Sequence, residues 1–171
     1  MKYATILIAC CALPVLRGFA EVPQPSDVSS VDAIIAASYD ALSGPVGAPR
    51  QWKRYLNLLD ADARLVSASL DAKSGRPTVT RLNRDEYVRY ANDYLVKTGF
   101  IDRKLRCITN HFGSIASVRC GFEGLEQSKR VERGVASFQL YHDGKHWWIL
   151  SIVWDQERPG HPIPAELQFT R

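Results

Sequence analysis

The sequence has little cysteine, little methionine and no long hydrophobic run. Its 171 residues include four cysteines and one methionine, which excludes a small domain held together by many disulfides. The longest apolar run, over residues 3–16, is shorter than the roughly 20 residues that a membrane-spanning helix needs. A hydrophobic share of 46% and a charged share of 23% are globular values and exclude intrinsic disorder, a collagen-like repeat and a coiled coil. We therefore expect one globular domain and no membrane span.

Sequence motifs for metal binding, nucleophilic catalysis and phosphate binding are also missing. The chain has no His-Glu-x-x-His, no Cys-x-x-Cys pair, no Gly-x-Ser-x-Gly and no glycine-rich phosphate loop. His142 and His146 flank a predicted turn and are expected to project from opposite faces, which makes a poor chelate. We therefore predict no bound metal and no cofactor.

The first twenty residues have the pattern of a secretory signal peptide. Lys2 precedes the apolar run, and Gly18 and Ala20 place small residues at the cleavage-reading positions. We predict cleavage after Ala20 and a periplasmic or secreted protein; the competing hypothesis is a lipoprotein modified at Cys10. Removing residues 1–20 takes away two of the 22 basic residues and none of the 18 acidic ones, so the formal charge falls from +4 to +2. Export and this low charge disfavour nucleic acid as a partner.

The rest of the chain is predicted to form a leader, one domain and a tail. Residues 21–30 are polar, carry two prolines and lack periodicity, so we interpret them as a flexible leader. Residues 31–157 show helical periodicity first and a period of two later, which predicts one α+β domain with helices on one face of an antiparallel sheet. Residues 158–171 contain three prolines and are predicted to form an irregular tail.

Three helices are predicted ahead of the main run of strands. The first begins at residue 31 and ends at the Gly-Pro pair 44–45, and the second covers residues 50–58. The third follows Asn83, whose side chain predicts a capping box with Glu86, and ends at Gly99. One strand, over residues 64–69, is predicted between the second and third helices.

The dipeptide Gly113-Ser114 is predicted to form a hairpin turn that sets the register of its strands. Opposed residue numbers then add to 227, which places Cys107 directly opposite Cys120. Counting outward from the turn makes this a non-hydrogen-bonded pair with Cα atoms about 4.5 Å apart, within the disulfide range. Because export places the pair in an oxidising compartment, we predict a disulfide between Cys107 and Cys120. The competing hypothesis is two buried free thiols.

A second hairpin turn is predicted at Asp143-Gly144, a dipeptide typical of type I′ turns. The resulting register places Arg133 opposite Trp154. Both faces of the hairpin are then largely apolar, whereas a sheet with one solvated face alternates apolar and polar residues. We predict that the small-residue face lies under the helices; it carries Gly134, Ala136, Phe138 and Leu140. The opposite face is predicted to be a dimer surface or a pocket wall, and its candidate residues are Arg133, Gln139, Trp148 and Trp154.

This layout and several segments resemble the nuclear transport factor 2-like superfamily. The similar segments are residues 58–65 (LLDADARL), 112–118 (FGSIASV), 133–140 (RGVASFQL) and 144–154 (GKHWWILSIVW). The resemblance covers residues 31–157 and implies a cystatin-like α+β cone, with three helices on a strongly curved antiparallel sheet. Ketosteroid isomerases, SnoaL-type polyketide cyclases and many secreted bacterial proteins of unknown role share this cone. The fold hosts many unrelated activities, so the resemblance is specific for fold and weak for function.

The resemblance also indicates where catalytic and binding groups would lie. Ketosteroid isomerases carry a carboxylate base on the strand after the Asp-Ala segment, but residues 64–68 contain none, and Ser67 cannot act as that base unaided. Tyr39 is the candidate for the oxyanion-stabilising tyrosine. His111, predicted to face the interior, is the candidate acid or base. The predicted lining of the cone consists of Tyr39, Trp52, Tyr90, Tyr94 and His111.

Three functional hypotheses follow from these patterns. The first is an exported homodimer that binds a small apolar or amphipathic ligand in its cone and associates through the sheet face. The second is an isomerase, cyclase or dehydratase on the same cone that uses His111 as acid or base. The third is a cavity-free protein-interaction module. A cavity of about 300 Å³ or more favours the first two hypotheses, and a filled cone favours the third.

Overall fold

A computed structural model describes residues 24–169. In chain order the elements are α1 (Val31–Leu42), α2 (Trp52–Leu56), β1 (Leu59–Leu70), β2 (Pro77–Asn83), α3 (Arg84–Thr98), β3 (Phe100–Phe112), β4 (Ile115–Glu126), β5 (Lys129–His142) and β6 (Trp147–Gln156). Two short 3₁₀ helices flank them, at Pro25–Val28 and Ala165–Leu167. The predicted signal peptide and the alternative lipidation site lie outside the described residues. Within residues 24–169, no helix combines the length and hydrophobicity needed to cross a membrane.

Helix α3 begins and ends at the residues that the sequence indicated. The Asn83 carboxamide oxygen accepts a hydrogen bond from the Glu86 N–H at 2.9 Å, and the Glu86 carboxylate accepts one from the Asn83 N–H at 2.8 Å. This confirms the predicted capping box. Gly99 ends the helix with a φ of 69°, a left-handed conformation that glycine adopts without a steric penalty.

The six strands form one curved, mixed sheet in the order β2-β1-β6-β5-β4-β3. The predicted α+β class is confirmed. All neighbouring strands are antiparallel except β1 and β6, which are parallel. The expectation of a wholly antiparallel sheet was therefore wrong at this pair, because the last strand returns beside the first one. Strand β2 was also missed, since it lies at the sheet edge and its side chains are mostly exposed.

The register predicted for the β3–β4 hairpin is confirmed as far as the cysteines. Phe112 lies opposite Ile115, and Cys107 lies opposite Cys120. The two cysteines form the predicted disulfide, with their Cα atoms 4.1 Å apart. Beyond them the register shifts by one residue at a bulge between Lys104 and Cys107.

The register predicted for the β5–β6 hairpin is wrong. The connection spans residues 143–146 rather than two residues, because the Asp143 carboxylate accepts hydrogen bonds from the backbone N–H groups of Lys145 and His146. A bulge then shifts the register again between Gln139 and Leu140. As a result Trp154 lies opposite Ala136 on the inner face, not opposite Arg133.

The inner face of the sheet packs against the helices and forms the main core. As predicted, the small-residue face of β5 is the buried one. Fully buried side chains from α1, α2 and the inner strands meet there; they include Ile34, Tyr55, Leu65, Val118 and Ile149.

The two flanking segments pack on this domain rather than standing apart from it. In the predicted flexible leader, Asp27 is buried and its carboxylate pairs with the guanidinium of Arg54, at 2.6 Å from Nε. In the predicted irregular tail, Ile163 and Leu167 are buried against Leu105. The tail therefore covers part of the outer sheet face.

Candidate functional site

A cavity of about 620 Å³ lies between the helices and the inner face of the sheet. All three helices and all six strands contribute to its lining, which includes five tyrosines, three phenylalanines and Trp154. Tyr90 and Tyr94 of α3, which are 72% and 50% exposed, mark the side on which the cavity opens to solvent. The cavity is therefore a largely aromatic chamber with an accessible entrance.

Tyr39 of α1 lines this chamber, and its buried hydroxyl group has no hydrogen-bond partner among residues 24–169. The residue is 6% exposed, and its hydroxyl oxygen is fully buried. Its ring packs against Phe138, with ring centroids 6.1 Å apart. Burial, and secondarily the charge of Asp102, raises the pKa of Tyr39 well above its usual value. The hydroxyl is therefore a protonated donor buried in the wall of the cavity.

Asp102 places a carboxyl group in the same chamber. It lies two residues after Phe100 on β3, so both side chains project from the inner face. Its backbone is held by Ser43, whose hydroxyl accepts from the Asp102 N–H at 2.9 Å and contacts the Asp102 carbonyl oxygen at 3.3 Å. Burial, with a smaller contribution from Glu132, raises the pKa of Asp102 to about 8. This carboxyl group changes charge close to neutral pH.

A second carboxyl group, that of Glu132 on β5, also lines the cavity. The side-chain amide of Gln156 donates to it. Burial raises the pKa of Glu132, the Gln156 hydrogen bond opposes that rise, and the nearby Glu126 adds to it. At the entrance, the Tyr94 hydroxyl donates to Glu126. Burial first, and this hydrogen bond second, raise the pKa of Tyr94 to about 12.

Comparison with known proteins places this geometry in a known fold. No protein-family model matches the chain, and no curated protein matches it. Among solved structures, a protein of unknown function with a cystatin-like fold from Nostoc punctiforme PCC 73102 aligns with a TM-score of 0.56 and 11% identity over 78% of this chain and 92% of its own. A nuclear transport factor 2-like protein of unknown function from Methylobacillus flagellatus KT aligns with a TM-score of 0.50 and 14% identity, over 77% of this chain and 99% of its own.

The chain has the nuclear transport factor 2-like fold. A third similar structure is that of a candidate ketosteroid isomerase from Parabacteroides distasonis ATCC 8503, with a TM-score of 0.54 and 14% identity over 80% of this chain and 98% of its own. At these identities the similarity shows the fold alone, because this fold hosts unrelated activities. The function therefore has to be argued from the residues in the cavity.

Within this nuclear transport factor 2-like fold, some predicted lining residues reach the cavity and others do not. Tyr39, Tyr90, Tyr94 and Trp154 line it. Trp52 does not: its indole N–H donates to the Asn92 side chain at 2.7 Å. Its ring packs edge-on against Tyr87, with centroids 6.3 Å apart, so Trp52 supports the wall from behind.

His111 lies outside the cavity, which corrects its predicted role as a lining residue and as the acid or base. It is nine positions beyond Asp102 on β3, roughly 30 Å of extended strand. Its side chain is exposed, its Nε2 lies 2.9 Å from the Gly113 carbonyl oxygen, and its ring packs against Trp147. The alternation of faces was counted correctly, but the position along the strand puts His111 near the turn.

The other three candidates on β5 and β6 have partners away from the cavity. Arg133 pairs with Glu157 at 3.0 Å. Gln139 accepts a hydrogen bond from the Ser117 hydroxyl at 2.8 Å. The indole N–H of Trp148 donates to the Asp143 carboxylate at 2.8 Å. None of these three is a cavity-wall residue, and the predicted pairing of Arg133 with Trp154 does not form.

Sequence reasoning missed the two carboxyl groups of the site. Asp102 lies two residues after Phe100 at the start of β3, so the two side chains are on the same face of the strand. An acidic residue on the inward-facing side of a strand is the sequence signal that could have identified it. Glu132 lies among Lys129, Arg130 and Arg133, and a basic run of this kind is typical of an exposed surface segment. No cluster of three or more His, Cys, Asp or Glu side chains arranged to hold a metal ion occurs among residues 24–169.

Proposed function

We propose that this protein is exported and binds a small apolar or amphipathic molecule in its cavity. The observation that carries the proposal is a chamber of about 620 Å³ with nine aromatic side chains in its wall, where the buried Tyr39 hydroxyl has no partner among residues 24–169. Chambers of roughly 300–1,000 Å³ with apolar walls and few polar groups are typical of small-molecule sites. An unpartnered buried hydroxyl disfavours folding by about 1–3 kcal/mol, and an acceptor atom on a ligand offsets that cost.

The same chamber weakens the two alternatives. A cavity of this volume does not fit a cavity-free interaction module. The isomerase-type hypothesis loses the acid or base that was predicted for it, because His111 lies outside the chamber. Where β1 meets the cavity it supplies Ser67 and Ser69, and neither is the carboxylate base that such an isomerase needs. Binding requires none of these groups.

Export is supported by two independent features. The first twenty residues have the signal-peptide pattern described above. The Cys107–Cys120 disulfide is a cross-link of a kind that persists in the periplasm or outside the cell and is rare in the cytosol. Detection of a mature chain beginning at Glu21 in a periplasmic fraction is the expected result, and a full-length cytosolic chain contradicts it.

We also propose that two copies associate through the outer face of the sheet. The tail covers only part of that face, and Tyr141 and Val153 remain 42% exposed on it. Association of two copies removes these exposed apolar side chains from water, which favours the complex. Light scattering at micromolar concentration is expected to give twice the mass of one mature chain. Val153→Lys is expected to yield the monomer, and Val46→Lys, at an exposed valine in a loop, is the matched control; a wild-type monomer contradicts the proposal.

A neutral fluorescent ketone, 6-propionyl-2-dimethylaminonaphthalene, tests ligand binding directly. We expect saturable binding of one probe per chain with a blue-shifted emission. Ser67→Phe, which fills the chamber from β1, is expected to abolish that signal. Thr78→Phe, an equivalent change on the exposed edge strand β2, is expected to leave it unchanged. Absence of saturable binding, or equal binding by both variants, contradicts the proposal.

A further inference from the structure

The charged groups that line the cavity all have the same sign. Two carboxyl groups, those of Asp102 and Glu132, reach its wall, and among residues 24–169 no lysine, arginine or histidine does. The chain as a whole carries 22 basic and 18 acidic residues, so this bias belongs to the chamber and not to the composition. A chamber that is negative when its acids ionise disfavours anionic ligands and favours cationic ones.

The carboxyl group of Asp102 has no partner in the described part of the chain. No hydrogen bond or ion pair among residues 24–169 involves this carboxyl group. The other two carboxyl groups at the cavity and its entrance each accept a hydrogen bond, Glu132 from Gln156 and Glu126 from Tyr94. Carboxyl groups inside proteins are normally paired. The free one points into the space that a ligand would occupy.

Aromatic rings from all three helices line the same chamber as this carboxyl group. The Asp102 charge acts on Tyr39 of α1, Tyr55 of α2 and Tyr87 of α3, and in each case it adds to the larger effect of burial in raising the tyrosine pKa. Aromatic faces attract cations, and most strongly where water is excluded. A carboxyl group that shares a chamber with several aromatic side chains has the composition of an organic-cation site.

The Tyr39 hydroxyl gives a second, independent indication that this end of the chamber is built around a ligand. It is buried, it lines the same cavity, and it lacks a partner. Because a hydroxyl both donates and accepts, it can accept from an ammonium N–H or donate to a neighbouring oxygen of the ligand. Two polar groups without partners among residues 24–169 therefore belong to the wall of one chamber that is rich in aromatic side chains.

We propose that the cavity selects an organic cation, a protonated amine or quaternary ammonium on an apolar body, with Asp102 as its counter-ion and Glu132 supplying further negative charge. This inference rests on the proposed ligand-binding function and names the class of ligand. The aromatic wall holds the apolar body, and the carboxylate of Asp102 neutralises the positive end.

Binding of a permanent cation is coupled to ionisation of Asp102. The groups that face it are Glu132 and the three tyrosines, whose raised pKa values keep them protonated below pH 10. With the Asp102 pKa at about 8, its ionised fraction rises about tenfold between pH 7 and pH 9. The affinity for a quaternary ammonium ion is expected to rise by about the same factor, and that for a neutral molecule is not.

The test compares benzyltrimethylammonium with neopentylbenzene, its neutral isostere, as competitors of the fluorescent ketone described above. At pH 9 we expect the cation to bind the wild-type chain at least tenfold more tightly than the isostere. Asp102→Asn is expected to remove this preference and its pH dependence, and the variant is expected still to bind neopentylbenzene. Asp62→Asn, at an exposed aspartate, is the charge-matched control and is expected to change neither.

The outcomes separate the two proposals. If the isostere displaces the ketone as well as the cation does at pH 9, the cavity binds ligands but the cation inference is wrong. If the preference survives Asp102→Asn in a chain that still binds the isostere, Asp102 is not the counter-ion and the inference is likewise wrong. If neither compound nor the ketone binds, both proposals are overturned.

Discussion

The inner face of the sheet has two ends that differ in what lies between it and the helices. At the closed end, Val118, Leu140 and Ile149 pack against Ile34 of α1, and each is at most 2% exposed. At the open end the same strands border the cavity, where Asp102 is left unpartnered. Apolar side chains that fill space stabilise a fold, whereas buried polar groups without partners destabilise it. The comparison indicates that the closed end supports the fold and the open end carries the function.

The largest expected effect is a loss of packing at the closed end. Ile149→Ala removes a side chain that is 0% exposed and leaves a cavity, so the free energy of unfolding is expected to fall by about 4 kcal/mol. Leu150→Ala, one residue later and 40% exposed, is the matched control, with an expected loss below about 1 kcal/mol. Urea denaturation measures both. Similar losses at the two positions would show that the closed end is not the stabilising region.

The disulfide is the next largest contribution from the closed end. Cys107 and Cys120 are separated by 13 residues in the sequence, and closing a loop of that size stabilises a fold by about 3 kcal/mol in the chain-entropy description. The double variant Cys107→Ala with Cys120→Ala is expected to lose about that much in urea denaturation while still binding the fluorescent ketone. Reduction of the wild-type chain should lower stability similarly. A reductant that changes nothing would contradict the prediction.

At the open end, Asp102→Asn is expected to stabilise the protein instead. The unfolded chain releases this proton near pH 4, but the folded chain holds it until about pH 8. Between those values the unfolded state binds fewer protons, so wild-type stability falls as the pH rises. Asparagine does not titrate. The free energy of unfolding of the Asp102→Asn variant therefore increasingly exceeds that of wild type from pH 4 to pH 8, by at least about 1 kcal/mol at pH 8.

Thermal unfolding at a series of pH values measures this advantage. Asp62→Asn removes the same charge at an exposed site, and its difference from wild type should stay flat over that range. An Asp102→Asn variant that is less stable than wild type at pH 8 would mean that the carboxyl group has a stabilising partner in the folded chain. The contrast between the two ends would then fail.

The sequence predicted best those features that depend on local signals. The capping box of Asn83 and Glu86 and the Cys107–Cys120 register were both confirmed, because a cap or a tight turn is determined by a few adjacent residues. The Asp143-Gly144 turn failed because one carboxylate holds two backbone N–H groups and widens the connection. That side-chain effect outweighed the turn preference of the dipeptide.

The candidate site was less predictable, because it depends on distance along a curved sheet. Strict face alternation places His111 and Asp102, nine positions apart, on opposite faces of β3, and only the bulge between Lys104 and Cys107 brings Asp102 to the inner face, where the helices leave a chamber. Helical spacing assigns Trp52 and Tyr87 to the core-facing sides of their helices, but only Tyr87 reaches the cavity, and the Trp52 ring packs behind it. Periodicity assigns a side chain to a face, whereas the cavity is defined by where packing against that face stops.

Tyr39→Phe has the smallest expected effect on stability and distinguishes the open end from the closed end most clearly. Tyr39→Phe deletes a hydroxyl without a partner, so the free energy of unfolding should stay level or rise by up to about 1 kcal/mol. Because that hydroxyl is a donor in the chamber, the affinity for 2-acetylnaphthalene should fall about fivefold, equivalent to about 1 kcal/mol for one hydrogen bond. The affinity for 2-isopropenylnaphthalene, which lacks the carbonyl oxygen, should not change. Tyr141→Phe, on the outer face, controls for the loss of a tyrosine hydroxyl, and an equal loss for both compounds would assign Tyr39 to packing alone.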